Sequence, residues 1–284
     1  MNYVLNNQAG YYHPSVYVEE ARRLGAKLLP PCVNRSKAEC STDGEHIRLG
    51  LTFVKSLNES AIGQIEKLRE IEGDFESLED FLWRINIPQG EVENLIKCGA
   101  FDFTGKVRPA LLWELSFLYK PIVKAKADDL PPLFNQREKI RKPDRLPKLQ
   151  NYTDFEKWGY EQEILEMSVL KNPLELFGLS EKDAITPKLR ILENQKISAH
   201  GWLVDIKRIN TSNNSKMFFL TFEDLCDTFE VVVFYDIAKK HQECLERYRF
   251  LRIEGTVHTE GHNCSVYLSH IEPAETGLPE KPFI

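Results

Sequence analysis

The residues best suited to metal or nucleophilic chemistry are scattered through this sequence of 284 residues. Its six cysteines include no C-x-x-C pair, the spacing typical of zinc ribbons and redox motifs. Because structural metal sites usually pair their ligands closely, we interpret the cysteines as reduced and structural. The two looser groups of possible ligands are Cys32, Cys40 and His46, and His258, His262 and Cys264. We therefore expect no metal ion, no cofactor and no catalytic residue.

Charge is unevenly distributed along the chain. The net charge of −6 argues against bulk attraction to nucleic acid, yet residues 105–150 contain eleven Lys/Arg and five Asp/Glu. This local excess indicates a polyanionic partner, although basic linkers are often only solvated. The longest apolar runs are strand-sized, and the N-terminus lacks the pattern of a secretory signal. We expect a cytoplasmic protein with no membrane contact.

Four regions differ in their residue pattern, and we assign them as domains. Residues 1–51 predict a helix over 16–24, a strand at 27–29 and a β-hairpin around Asp43-Gly44. Residues 52–128 show helical apolar spacing with glycines after the helices, and Pro121 is expected to end or kink the last helix. Residues 129–186 form a basic, proline-punctuated linker followed by a helix over about 154–170. Residues 187–284 change to a period of two.

The last region predicts a small β-barrel. Its pattern is three strands, a helix and then two strands, which is the order of the five-stranded OB-fold. Another small barrel or an open sheet is the alternative. The expected fold class is therefore α+β and multidomain: an all-α domain with a small N-terminal β-hairpin element, then a linker and a five-stranded barrel.

An OB-fold binds single strands by stacking bases on aromatic side chains and following phosphates with basic ones. The aromatic candidates on the second and third strands are Phe219, Phe222, Phe234 and Tyr235, and the basic candidates are Lys207, Arg208 and Lys216. Alternating aromatics also fill barrel cores, so about half of the aromatic candidates should point inward. The basic side chains are the stronger candidates.

Several segments together resemble the C-terminal part of bacterial DNA polymerase III alpha subunits, most closely the error-prone branch. L-P-P-C-V-N-R-S at 29–36 is similar to the family's L-P-P-D-V-N-x-S, and L-I-K-C-G-A-F-D at 95–102 to its L-I-x-x-G-A-F-D. R-L-G-L at 48–51 with Val54 and Lys55 corresponds to the approach to the family's first helix-hairpin-helix. The resemblance implies the end of a fingers region, an all-α domain with tandem helix-hairpin-helix motifs, a clamp-binding linker and an OB-fold.

By this resemblance, two hairpins hold duplex phosphates without reading sequence. The residues assigned to the second hairpin are Gly99, Phe101, Gly105, Lys106 and Arg108, and those assigned to the first are Lys55, Ser56 and Asn58. The family's first hairpin has V-K-G followed by a further glycine, and those glycines are missing here. Their loss removes residues suited to positive φ and close phosphate approach, and Glu59 adds a negative charge. We therefore expect the second hairpin to be the better DNA contact.

The resemblance also places a peptide that binds the sliding clamp in the linker, at Leu130, Leu133 and Phe134. Leu133 and Phe134 would insert into an apolar pocket of the clamp as anchors. Leu130 stands where the family has glutamine, and packing of these side chains onto the chain's own domain is the alternative.

Family members hold metal ions for nucleotidyl transfer with clustered palm-domain aspartates, and the matched segments lie beyond that region. The nearest acidic pair here, Asp128-Asp129, lies in the linker. We therefore expect a non-catalytic part of a polymerase for replication or error-prone repair. Its expected partners are duplex and single-stranded DNA, the sliding clamp and a catalytic part on another chain. A free-standing protein-interaction scaffold with decayed hairpins is the alternative.

Overall fold

A computed structural model of the chain describes residues 6, 13–127, 148–210, 216–261 and 263–274, with the backbone alone at 124–127, 210 and 216. The chain divides into two compact units, Met1–Leu170 and Lys171–Ile284. None of the helices in the described ranges has both the length and the apolarity needed to cross a membrane.

The first unit is mainly helical, as the apolar spacing predicted. Its described helices are α1 (Pro14–Arg23), α2 (Glu59–Glu72), α3 (Leu78–Arg84), α4 (Gln89–Lys97), α5 (Arg108–Ala127) and α6 (Asp154–Leu165). Single 3-10 turns at Leu51–Phe53 and Asp102–Thr104 precede α2 and α5. Asn58 and Ser77 begin α2 and α3, because each side chain accepts a hydrogen bond from a backbone amide of the first turn.

Three short strands form a small sheet in the same unit. They are β1 (Lys27–Leu29), β2 (Ser41–Asp43) and β3 (His46–Arg48), in the order β1-β3-β2. The predicted strand and hairpin are confirmed, and β1 joins the hairpin by pairing with β3 in parallel. Gly44 takes the positive φ of 63° that the tight turn requires.

Three phenylalanine rings form the centre of the helical core. Phe81 lies 5.0 Å from Phe75 and 5.0 Å from Phe101, ring centroid to centroid, in edge-to-face contacts. All three side chains are fully buried. Arg84 stacks over the Phe75 ring at 4.2 Å and donates to two carbonyls at the end of α2, which closes the connection between α2 and α3.

Two helix ends differ from the prediction. The expected end at Pro121 is wrong, because α5 continues through it to Ala127. Proline removes one amide donor, and at this exposed position water can bond the carbonyl that loses its partner. The helix expected to reach residue 170 ends at Leu165, where Glu166 adopts a left-handed φ of 57°.

Buried polar groups anchor α6 within the first unit. Glu161 is buried and accepts a hydrogen bond from the Val169 amide at 2.7 Å. Trp158 donates to the Ser168 hydroxyl at 2.9 Å, and Arg22 of α1 donates to the Ser168 carbonyl at 3.1 Å. These bonds fix residues 168–170 against both helices.

The second unit contains a closed barrel. Its strands are β4 (Lys196–Asn210), β5 (Lys216–Glu223), β6 (Thr228–Phe234), β7 (Phe250–Glu260) and β8 (Asn263–Pro273). Its α-helices are α7 (Pro173–Leu176), α8 (Tyr235–Lys240) and α9 (Gln242–Arg247), where α8 and α9 meet at His241. The order β4-β5-β6-β8-β7, with β6 and β8 parallel, confirms the predicted five-stranded OB-fold.

Burial of Glu161 predicts a pH-dependent stability. Burial raises the pKa of its carboxyl to about 7, against the lowering effects of the Val169 and Leu170 amides and of Arg108 and Arg22. The folded protein therefore binds this proton more tightly than the unfolded chain does. Its contribution to stability is complete below the unfolded pKa of 4.5 and is lost as pH rises through about 7.

We expect Glu161→Gln to remove this dependence while keeping an acceptor for the Val169 amide. In urea unfolding from acid to slightly alkaline pH, the variant should gain roughly 3 kcal/mol relative to wild type. Glu163→Gln, at an exposed position of the same helix, is the matched control. Parallel stability curves for wild type and Glu161→Gln would contradict the assignment.

Candidate nucleic-acid interface

The first hairpin, residues 54–58, lies between the 3-10 turn at Leu51–Phe53 and α2. Ser56 adopts a left-handed φ of 67° at the position where glycine was expected. The Lys55 amide donates to the Ile164 carbonyl at 3.0 Å, and the Asn94 side chain donates to the Lys55 carbonyl at 2.9 Å. Contacts from α4 and α6 therefore hold the hairpin in a glycine-like conformation without its glycine.

The same hairpin exposes polar groups that suit an anion. The side chains of Lys55, Ser56 and Asn58 are exposed, and the Ser56 and Asn58 amides bond to no other described residue. Asn58 accepts from the Ala61 amide at 2.9 Å, so these open amides lie directly before the first turn of α2. Backbone amides and the helix dipole attract phosphate at such a place, although Glu59 opposes them.

Most backbone amides of the second hairpin, residues 98–105, are hydrogen-bonded within the chain. Each of five amides donates to a carbonyl of the same stretch or of α4, at 2.8 to 3.1 Å. The donors are Gly99, Ala100, Asp102, Thr104 and Gly105. These five amides are therefore occupied within the chain, and a phosphate contact at this hairpin would have to use other groups.

Arg108 corrects a second expectation, because it is only 2% exposed. It donates to Asp102 through Nε at 3.0 Å and Nη2 at 2.7 Å, and through Nη1 to the Lys97 carbonyl at 2.9 Å. A Cβ added to Gly99, whose φ is 96°, would clash with Arg108 Nη2. Glycine is thus needed to admit the guanidinium, and Phe101 is likewise a core residue.

Lys106 is the basic side chain of the second hairpin that remains accessible. Its Nζ lies 2.6 Å from a carboxylate oxygen of Glu114, and the lysine side chain is 40% exposed. A phosphate would compete with this ion pair for the ammonium group. Lys106 is therefore less available to a phosphate than the exposed Lys55, and the ranking of the two hairpins as DNA contacts stays a prediction.

In the barrel, the predicted residues divide between surface and core. Lys207 and Arg208 are exposed on β4, and Phe219 is half-buried directly opposite Lys207. Tyr235 is 43% exposed at the start of α8. Phe222 is fully buried and stacks on a neighbouring ring of the barrel interior, so its expected contact with bases is wrong.

Two aromatic residues on the outer face were missed by sequence reasoning. The Tyr267 ring lies 4.2 Å from His258 and 5.9 Å from Phe234 between centroids. Tyr267 lies on β8 and His258 on β7, whereas the aromatic residues predicted to stack on bases came only from the second and third strands of the barrel. Applying the period of two to β8 would have placed Tyr267 outward, because Val266 and Leu268 fill the core.

Some predicted residues fall outside this description. Leu130, Leu133 and Phe134 lie outside the described residues, and Lys216 is described by its backbone alone, opposite Asn210. Within the described ranges, no three His, Cys, Asp or Glu side chains are grouped so that they could hold a metal ion.

Comparison with known proteins identifies both units. A family model for the helix-hairpin-helix motif matches residues 25–111, and one for an OB-fold nucleic acid binding domain matches residues 197–274. DNA polymerase III subunit alpha of Campylobacter jejuni is 30% identical over 238 residues, 78% of this chain and 20% of the relative. That of Borreliella burgdorferi is 29% identical over 258 residues, 86% of this chain and 22% of the relative. The chain is a homologue of DNA polymerase III alpha subunits.

The alpha-subunit homologue spans about a fifth of the length of these relatives. An error-prone DNA polymerase of Corynebacterium glutamicum is 25% identical over 272 residues, 94% of this chain and 24% of the relative. These three identities do not favour the error-prone branch. Among solved structures, the second OB-fold domain of replication protein A from Methanococcus maripaludis covers 32% of this chain and 96% of its own, at 12% identity and a TM-score of 0.25.

Loss of the Arg108 side chain should destabilise the first unit. Arg108→Ala leaves the Lys97 carbonyl without its donor and opens a void beside Gly99, so we expect a loss of about 2–4 kcal/mol in urea unfolding. Lys106→Ala, two residues away on the surface, should cost less than about 0.5 kcal/mol. An Arg108→Ala protein of wild-type stability would contradict a structural role.

Proposed function

We propose that this chain is the DNA-holding, non-catalytic part of a DNA polymerase III alpha-type subunit, acting in replication or error-prone repair synthesis. The first hairpin grips duplex phosphates, and the barrel holds the adjoining single strand. Nucleotidyl transfer is assigned to the regions of the relatives that this chain does not cover, which would act on the same or on another chain. Homology to alpha subunits and the two family models support this proposal.

The open first hairpin is the observation that carries the proposal. The Ser56 and Asn58 amides, which bond to no residue in the described part of the chain, lie beside the N-terminus of α2 and the exposed Lys55. Such groups bind phosphate without reading bases, as a polymerase that moves along DNA requires. The barrel adds Lys207 and Arg208 on its surface, and Phe219 and Tyr235 as aromatic contacts.

A protein-interaction scaffold is the second candidate function. It is favoured by the closed second hairpin, by Glu59 beside the open one, and by the net charge of −6. A scaffold of this kind would bind DNA weakly at any salt concentration, whereas a phosphate-binding module loses affinity steeply as salt rises.

The decisive test is binding of a fluorescent primer-template with a single-stranded overhang, followed by anisotropy across a salt series. Lys55→Ala should weaken binding and reduce the slope of log K against log salt by about 1, because one phosphate contact is lost. Lys67→Ala, at an exposed lysine of α2, the helix that follows the hairpin, is the matched control. Lys106→Ala should have the smaller effect of the two hairpin variants.

The outcomes separate the two candidate functions. Loss of affinity in Lys55→Ala on blunt duplex, and in Lys207→Ala/Arg208→Ala on single strands alone, would support division of labour between hairpin and barrel. If Lys106→Ala has the larger effect, the first hairpin is not the principal contact. Absence of binding by wild type at low salt would leave the scaffold as the better explanation.

We further propose that Leu130, Leu133 and Phe134 bind the sliding clamp, on the basis of the sequence resemblance. Leu133→Ala/Phe134→Ala should weaken binding of the chain to the clamp of the same organism at least tenfold, because buried aromatic and aliphatic anchors dominate such contacts. Surface plasmon resonance measures this, with Gln136→Ala in the same segment as control. Equal affinity of wild type and the double variant would remove the clamp from the proposal.

A further inference from the structure

The outer face of the barrel carries a continuous row of paired residues. Lys207 on β4, Phe219 on β5, Val232 on β6 and Tyr267 on β8 are consecutive cross-strand partners. Neighbouring strands are about 4.8 Å apart, so the row spans about 14 Å of surface. This distance is long enough for several nucleotides of a single strand.

Val232 occupies the middle of this row and is buried although it faces outward. The alternation along β6 points Phe229, Val231 and Val233 inward, so Val232 faces outward, yet it is only 3% exposed. Its cross-strand neighbours are Phe219 and Tyr267, whose Cβ atoms lie about 5 Å away. Phe219, Val232 and Tyr267 are therefore neighbours on the outer face, and we call these three residues the apolar floor.

Two further rings extend this floor around Tyr267. His258 lies 4.2 Å away with its plane tilted by 37°, and Phe234 meets Tyr267 edge to face at 5.9 Å. Phe234 is 45% exposed, so the face of its ring remains accessible beside Tyr267. Three rings from three strands thus gather at one place.

The charges nearby define which part of a nucleic acid fits this face. Lys207 is exposed at the β4 end of the row, whereas Arg208 pairs with Phe218 on the other face of the strand and lies over its ring at 5.3 Å. Glu230 is exposed in the adjacent row, opposite Ser265, and would repel phosphates from that side. Bases on the rings and phosphates towards β4 satisfy both constraints.

We propose that Tyr267, with Phe234 and His258, forms a stacking site for an unpaired nucleobase of single-stranded DNA. The site continues the contact of Lys207 and Phe219 across to β7 and β8. It rests on the proposed single-strand binding by the barrel and adds Tyr267 as the residue that bears the base. A base stacked on an aromatic ring gains about 1–3 kcal/mol without regard to its identity.

The test uses the full chain and a fluorescein-labelled oligothymidine, followed by anisotropy. Tyr267→Leu keeps an apolar side chain and removes the ring, so affinity should fall about tenfold. Tyr267→Phe keeps the ring and should stay within about twofold of wild type. Thr256→Ala, the cross-strand partner of Tyr267 on β7, is the matched control for local disturbance.

An abasic oligonucleotide series tests the stacking contact itself. Removing the base that occupies the site should cost wild type about tenfold and Tyr267→Leu little, because the two changes delete the same interaction. Binding of blunt duplex should be equal in all variants. Additive losses from abasic site and Tyr267→Leu would overturn the proposal.

Crosslinking of the wild-type protein tests the same site without depending on whether a variant folds. Ultraviolet crosslinking of an oligonucleotide containing 5-iododeoxyuridine should attach it to the peptide that carries Tyr267 or His258. Crosslinks confined to β5 would overturn the site. If Lys207→Ala/Arg208→Ala abolishes single-strand binding while Tyr267→Leu does not, this inference fails and the proposed function stands. If wild type binds no single strand, both fail.

Discussion

The hydrogen bonds of the buried Arg108 guanidinium are the constraint on which the second hairpin depends. A cation removed from water is stable only when its donors are paired, and here Asp102 and the Lys97 carbonyl pair them. The pairing requires Gly99, since any side chain there would meet the guanidinium. A segment that resembles a phosphate site thereby becomes a structural joint between α4 and α5. The basic residue that would draw a phosphate is occupied with a carboxylate and a carbonyl of its own chain.

The first hairpin differs from the second, because its contacts with α4 and α6 leave the Ser56 and Asn58 amides without a described partner. Its conformation is fixed by two contacts to the Lys55 backbone: the Asn94 side chain donates to the Lys55 carbonyl, and the Lys55 amide donates to the Ile164 carbonyl. Ser56 can therefore occupy a left-handed conformation that would otherwise cost about 1–2 kcal/mol. These contacts leave the Ser56 and Asn58 amides without a partner among the described residues, whereas the Leu57 amide donates to the Val54 carbonyl at 3.1 Å. Packing of α4 and α6 thus holds the hairpin in a conformation that glycine would favour, although the glycine is absent from the sequence.

The difference between these hairpins explains which structural features the sequence could predict and which it could not. Apolar spacing, caps and strand alternation are local signals, and they predicted the helices, the small sheet and the barrel order. The burial of Arg108 depends on its bonds to Asp102 and on the space that Gly99 leaves. The conformation of Ser56 depends on a contact with α6, which is more than a hundred residues away in sequence. Neither contact has a local signature. Tyr267 was missed for a related reason: β8 pairs with β6, and this pairing between strands that are distant in sequence has no local signal.

The charge of the protein limits how the barrel can hold a single strand. A chain with net charge −6 cannot rely on a broad positive surface, and Glu230 lies beside the aromatic row. Stacking is insensitive to this charge, because a ring face attracts a base through dispersion and desolvation. The few cations near β4 then need only orient the backbone. A short aromatic face with a cation at one side is therefore consistent with the proposed binding of single strands without regard to their sequence.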